Sequence, residues 1–115
     1  MKTTLVNGVP EVSPEELHQN LQTVRIVDVR RPDEFNGDLA HIEGAELVTL
    51  GPQLLEFLEK GDRNQTIVFV CRSGGRSAQA TMASLQMGYK TVYNMTGGML
   101  EWNSRELPVK RDSAS

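Results

Sequence analysis

One cysteine, Cys71, closes the apolar run Thr66-Ile67-Val68-Phe69-Val70 and is followed at once by Arg72-Ser73-Gly74-Gly75-Arg76-Ser77. A thiol attacks as its thiolate, and a free thiol, with a pKa of about 8.5, is only slightly ionised at neutral pH. Three features of this segment favour the anion: two guanidiniums, glycines that let loop N–H groups turn inward, and a helix read from Ser77 onward whose positive end faces the thiol. The same donors would hold a small anionic substrate. A cysteine at a strand end is by itself an ordinary buried apolar side chain. The Arg-flanked Gly-Gly loop turns the reading toward a reactive, anion-binding site.

The elements that must position this loop alternate along the chain. Ser13-Pro14-Glu15-Glu16 opens a helix, with Ser as N-cap, Pro at the first position and Glu at the third, running on to Leu21. Residues 24–29 read as a strand that turns away through Arg30-Arg31-Pro32, and Pro32 suits the first turn of a short helix. A short strand is expected at 46–50, and a helix with apolar spacing at 53–59 is stopped by Gly61. The strand Thr66–Val70, the Cys71 loop and a helix over 77–87 follow, with Gly88 as the terminating glycine. A last strand at 90–95 precedes Gly97-Gly98 and a helical turn through Met99, Leu100 and Trp102. The Ile67–Val70 run is apolar on both faces, as in a parallel strand covered by helices above and below, and Cys71 lies at the carboxyl end, where open α/β sheets bind ligands.

At 115 residues the chain is read as one domain, residues 1–115, with 110–115 a loose polar tail. The apolar fraction of 38% and charged fraction of 23% fit a globular protein. The net charge is −3 with Lys and Arg scattered, so no basic stripe invites nucleic acid or an anionic membrane. No stretch reaches membrane-spanning length and the first ten residues lack an apolar leader, which makes the cytoplasm the expected compartment. A single cysteine allows no internal disulfide. It also makes a poor zinc site, since His18 and His41 lack partners at ligand spacing; no metal is expected. No coiled-coil repeat marks an oligomer.

The chain resembles a single-domain rhodanese, or sulfurtransferase, over nearly its full length. Asp28-Val29-Arg30 followed by Glu34-Phe35 is similar to the family's first signature. His41-Ile42-Glu43-Gly44-Ala45 is similar to the second, with Ala40 and Glu43 standing where the family usually has glycine and proline. Cys71 to Arg76 matches the active-site loop, and Gly97-Gly98 with Trp102 and Leu107-Pro108-Val109 matches the C-terminal signature. The resemblance implies a five-stranded, mostly parallel sheet with helices on both faces, and a sulfurtransferase without a bound cofactor whose Cys71 cycles through a transient persulfide. It implies that Arg72 and Arg76 neutralise an anionic sulfur donor such as thiosulfate, a polysulfide or a persulfide. The N–H groups of Ser73, Gly74, Gly75, Arg76 and Ser77, with the Ser73 and Ser77 hydroxyls, would cradle the sulfur. With no second cysteine, the acceptor must be external: cyanide, a small thiol or a protein thiol.

Two rival readings remain open. A cysteine phosphatase or arsenate reductase uses the same thiolate-in-a-cradle logic, but the phosphatase loop has five residues between Cys and Arg, and this one has four. A non-catalytic rhodanese-like interaction module commonly lacks the cysteine, which this chain keeps. For the remaining polar residues the structural reading is the simpler one: Asp28, Arg30 and Glu34 as a bracing network, His41 as loop packing, His18 as a surface residue. Trp102 and the methionines are expected to be packing residues.

Overall fold

Strand β5 (Thr66–Val70) runs through the middle of the sheet, where the alternation of its side chains supplies both faces of the core. The computed structural model describes residues 1–112. β5 pairs in parallel with β3 (Arg25–Asp28) on one side and β6 (Thr91–Met95) on the other. Beyond β3 lies β4 (Glu46–Leu47), and beyond β6 lies β2 (Val9–Val12), both parallel. The sheet ends in β1 (Thr4–Val6), antiparallel to β2, so the order is β1-β2-β6-β5-β3-β4.

Among the described residues this is a six-stranded sheet, one strand more than the five expected. The addition is β1, and its cause is local: Asn7 and Gly8 adopt φ of 51° and 82°, the doubly left-handed turn that matches the twist of a two-residue hairpin. The five parallel strands and the helices on both faces are as expected. On one face, Val27, Ile67, Phe69, Cys71 and Val92 pack with Leu54 and Leu58 of α3 (Pro52–Lys60) and Ala80 of α4 (Gly75–Gln86). On the other, Ile26, Val68, Val70 and Met95 pack with Leu17 of α1 (Pro14–His18) and Met99 and Trp102 of α5 (Gly98–Ser104). Burying each of these large side chains contributes roughly 1.5–3 kcal/mol, which is why a short strand such as β5 can anchor the domain.

The helix ends follow the expected chemistry, with shifts in extent. Ser13 Oγ accepts from the Glu16 amide at 3.1 Å and caps α1, which stops at His18 rather than Leu21. Gly88, at φ +97°, ends α4: its own N–H donates to Leu85 O and that of Tyr89 to Ser84 O, a Schellman pair. Gly61 stops α3 for a different reason. Its φ is an ordinary −80°, but a Cβ there would lie 2.3 Å from the Tyr89 hydroxyl, which donates to Leu58 O.

Short helix α2 (Pro32–Phe35) leaves β3 through a buried ion pair. Arg30 Nε and Nη2 grip the two Asp28 carboxylate oxygens at 2.9 and 2.7 Å, and the remaining guanidinium donors reach the carbonyls of Glu34 and Ala40. Both residues are almost fully buried, and every guanidinium nitrogen of Arg30 has an acceptor. The expected bracing role of Asp28 and Arg30 is what the fold contains. Ala40, where the resemblance leads one to expect glycine, takes φ +56° all the same, with Arg30 holding its carbonyl. His41 stacks on Phe35 and its Nδ1–H donates to Phe35 O at 2.9 Å, a loop-packing role.

Residues 110–112, expected as part of a loose tail, are tied to this region: Lys110 and His41 exchange backbone hydrogen bonds, and the Arg111 guanidinium donates to Gly37 O and Asp38 O. The rest of that tail, 113–115, lies outside the described residues. No helix among the described residues is long and apolar enough to cross a membrane.

Replacing Asp28 by Asn leaves Arg30 as a buried charge without its counter-ion. Asp28→Asn is expected to cost about 3–5 kcal/mol in urea-monitored unfolding. A loss below about 1 kcal/mol would mean that the carbonyls alone satisfy Arg30.

Candidate active site

The period-two alternation of β5 that puts Ile67 and Phe69 on the α3/α4 face continues to Cys71, aiming Sγ at the first turn of α4. That helix begins at Gly75, two residues before the expected start at Ser77. The cap is Gly74, at φ +107°, a conformation side-chain-bearing residues rarely adopt; it turns the Gly74 N–H onto Cys71 Sγ at 3.0 Å. Ser77, fully buried in the first turn, brings its Oγ to 3.2 Å from the same sulfur. The amides of Ser73, Gly75, Arg76 and Ser77 have no acceptor among the described residues, as befits a loop feeding a helix N-terminus.

The carbonyl side of the loop is held from α5. Met99 N–H donates to Cys71 O at 2.8 Å and Leu100 N–H to Arg72 O at 2.9 Å. This contact needs glycine at position 98: a Cβ there would stand 2.5 Å from Arg72 O and 2.6 Å from Cys71 O, and φ is +59°. The Gly97-Gly98 motif is therefore the seat of the cysteine loop. With its carbonyls drawn outward, the loop presents amides inward, which suits a negative charge at Cys71.

The two arginines of the loop divide. Arg76 makes a bidentate pair with Glu34 of α2, Nη1 to Oε1 at 2.7 Å and Nη2 to Oε2 at 2.9 Å. This hydrogen-bonded pairing holds the Glu34 carboxyl well below the usual range, from 4.5 to about 2, and raises Arg76, to which the nearby Cys71 charge adds a smaller contribution. Arg72 is exposed, has no ion-pair partner among the described residues, and lines a cleft of about 510 Å³ with Arg30, Glu34, Asp38 and Leu39. Arg72 is thus an exposed cation of the loop, while Arg76 fastens the loop to α2.

Of the sequence-predicted residues, Cys71, Gly74 and Ser77 meet at the sulfur, Ser73, Gly75 and Arg72 form the exposed rim, and Arg76 turns to Glu34. His41 and Trp102 serve packing, the latter donating Nε1–H to Pro108 O at 2.9 Å. Two residues escape the sequence reading: Asn94 of β6, hydrogen-bonded to Ser77 Oγ and Gly74 O, and Glu11 of β2, which accepts from Asn94. The available signal was an amide among the apolar residues of a buried strand, where Asn is uncommon. Among the described residues no group of three or more His, Cys, Asp or Glu is placed to hold a metal ion.

A thiol at a parallel-strand end, enclosed by amides and followed by a helix, defines a class, and comparison with known proteins names it. The profile of the Rhodanese-like domain matches residues 13–105, and the chain belongs to that family. It is 34% identical over 84% of its length to a probable adenylyltransferase/sulfurtransferase, MoeZ, of Mycobacterium tuberculosis, of which it spans only 25%. It is 31% identical to a sulfurtransferase of Allochromatium vinosum, covering 88% of this chain and 94% of that one. The solution structure of a polysulfide-sulfur transferase homodimer from Wolinella succinogenes superposes with a TM-score of 0.73 at 28% identity, over 90% of this chain and 79% of that one.

Because the folded Glu34 value is depressed, the stabilisation from the Arg76 pair is complete above pH 4.5 and is lost as the pH falls through about 2. Glu34→Gln is expected to cost on the order of 1 kcal/mol at neutral pH, with the gap to wild type closing between these limits. Unfolding measured from pH 7 to pH 2 checks this; a gap independent of pH would assign the contact to packing rather than charge.

Proposed function

We propose that this domain moves a sulfane sulfur from a donor to an external acceptor through a persulfide on Cys71. One observation carries the reading: the sulfur accepts from Gly74 N–H and lies 3.2 Å from Ser77 Oγ, while neighbouring amides of the same loop have no acceptor among the described residues. Such a cradle matches a negative charge on one or two sulfur atoms. Similarity to proteins named as sulfurtransferases supports the class.

In the loading step the Cys71 thiolate attacks the outer sulfur of the donor. With thiosulfate, the new S–S bond forms as the donor's S–S bond breaks, and its electron pair leaves with sulfite; with a polysulfide or persulfide, a shorter polysulfide or a thiolate leaves. The terminal sulfur on Cys71 then carries the charge, and the free amides of Ser73, Gly75, Arg76 and Ser77 receive it. Arg72 draws in the anionic donor and steadies the departing anion. In the unloading step a thiolate or cyanide attacks that terminal sulfur, the S–S bond breaks, and Cys71 recovers its thiolate. No proton, oxidant or cofactor enters either step.

Cys71 is fully buried, whereas Arg72, Ser73 and Gly75 are exposed, so the reacting atom of each substrate must enter past the rim of the loop. A narrow entry suits a slender sulfur chain, cyanide or a thiolate. The acceptor lies outside the chain because Cys71 is its only cysteine.

Assayed side by side, wild type is expected to form thiocyanate from thiosulfate and cyanide, and to leave aryl phosphate and arsenate unchanged. Cys71→Ser is expected to lose sulfur transfer by about a thousandfold or more, as removal of a nucleophile does. Cys71-dependent phosphate hydrolysis or arsenate reduction in place of sulfur transfer would overturn the reading.

A further inference from the structure

The Ser77 hydroxyl faces two acceptors with one proton. Its Oγ lies 3.2 Å from Cys71 Sγ and in close contact with Asn94 Oδ1. A serine hydroxyl donates once, so it serves either the sulfur or the amide. Which end of Asn94 it meets is not free to vary: Nδ2 lies 3.1 Å from Glu11 Oε2 and 3.2 Å from Gly74 O, both pure acceptors. Flipping the amide would set an oxygen against two oxygens, so Oδ1 must face Ser77. Glu11 is itself fixed by Thr96, whose Oγ1 donates to Oε1 at 2.9 Å, and by the register of β2 against β6, which pairs Glu11 with Asn94. Asn94 is 2% exposed, so no bulk solvent substitutes for these partners.

We propose that Asn94, oriented by Glu11 and Gly74 O, is a positioning residue that acts on Cys71 through Ser77 by offering its proton a second acceptor. When Sγ is anionic, Ser77 turns its proton to the sulfur. When Sγ is a neutral thiol, the S–H points to Ser77 Oγ and Ser77 donates onward to Asn94 Oδ1. When Sγ is bonded to a second sulfur and the charge has moved to the outer atom, Ser77 again donates to Asn94. No proton leaves the protein in this last exchange; the hydroxyl only rotates. Asn94 therefore favours the neutral and loaded states over the free thiolate, keeping the thiolate from being held so tightly that loading is uphill. The loaded part of this cycle rests on the persulfide reading above, whereas the thiol part stands on the geometry alone.

Charged groups on the elements packed around Cys71 are Arg72 and Arg76 of the loop and α4, Glu34 of α2 paired to Arg76, Asp28 of β3 paired to Arg30, and Glu11 of β2. None is altered by replacing Asn94 or Ser77 with alanine. The rate of iodoacetamide alkylation of Cys71 against pH, which needs no sulfur donor, isolates the Ser77 proton. Ser77→Ala is expected to raise the midpoint of that profile by about one pH unit, and Asn94→Ala to lower it by about half a unit. The Ser77→Ala/Asn94→Ala double variant is expected to match Ser77→Ala alone, since Asn94 then has nothing to act through. Asn94→Ala moving the midpoint upward, or the two shifts adding in the double variant, overturns the assignment. Should Asn94→Ala not fold, Asn94→Leu keeps the volume while removing the acceptor that faces Ser77. Its midpoint is expected to fall in the wild-type background and to be unchanged in a Ser77→Ala background; a rise, or an equal fall in both backgrounds, overturns the assignment. Wild-type sulfur transfer failing while this pattern appears would count against the persulfide reading and leave the role of Asn94 standing.

Discussion

Two amide hydrogen bonds, from Met99 and Leu100 at the start of α5 to the carbonyl oxygens of Cys71 and Arg72, decide which way the cysteine loop faces. A peptide group points its oxygen and its N–H in opposite directions, so holding these carbonyls outward makes it possible for the following amides to turn in. Gly98 is the condition for this contact, because any side chain there would collide with the same two carbonyls. Gly74 is its complement, turning the chain through a left-handed cap so that its N–H lands on Sγ. The cysteine site is thus assembled between two helix starts, with β5 supplying the thiol and β6 leading into the seat.

Charge then fixes the loop to the rest of the domain. Asp28 and Arg30 form a buried pair, and further Arg30 donors hold the carbonyls of Glu34 and Ala40, and so set the path of α2. On that path Glu34 meets Arg76, which ties the far end of the cysteine loop to α2. The chain of contacts runs from a strand end through a short helix to the cysteine loop, and it leaves Arg72 as the loop arginine without an ion-pair partner among the described residues. A pair of arginines that look equivalent in sequence thereby acquires two different positions, one in the framework and one at the cleft.

Much of this was readable from residue order because local rules governed it. The limits of β5 follow from an uninterrupted apolar run between polar neighbours, the α1 cap from Ser13 and Pro14, and the end of α4 from Gly88. The cysteine site was readable because its thiol, glycines and arginines are contiguous in the chain. What sequence did not disclose depended on contacts across the sheet: Arg76 reaching Glu34, and Asn94 wedged between Glu11, Gly74 and Ser77. The β1–β2 hairpin is a different case, since Asn7-Gly8 is a local turn signal and was legible in principle. The earlier start of α4, at Gly75, reflects a cap made by backbone conformation and by the sulfur rather than by a capping side chain.

The proposed persulfide on Cys71 should leave a covalent trace. Intact-mass measurement after incubation with thiosulfate or polysulfide, followed by peptide mapping, is the most direct way to see it. The expected result is a gain of one sulfur atom on the peptide containing Cys71, removed by cyanide and absent from Cys71→Ser. No mass gain with either donor, or the same gain on Cys71→Ser, would contradict a persulfide carried by Cys71.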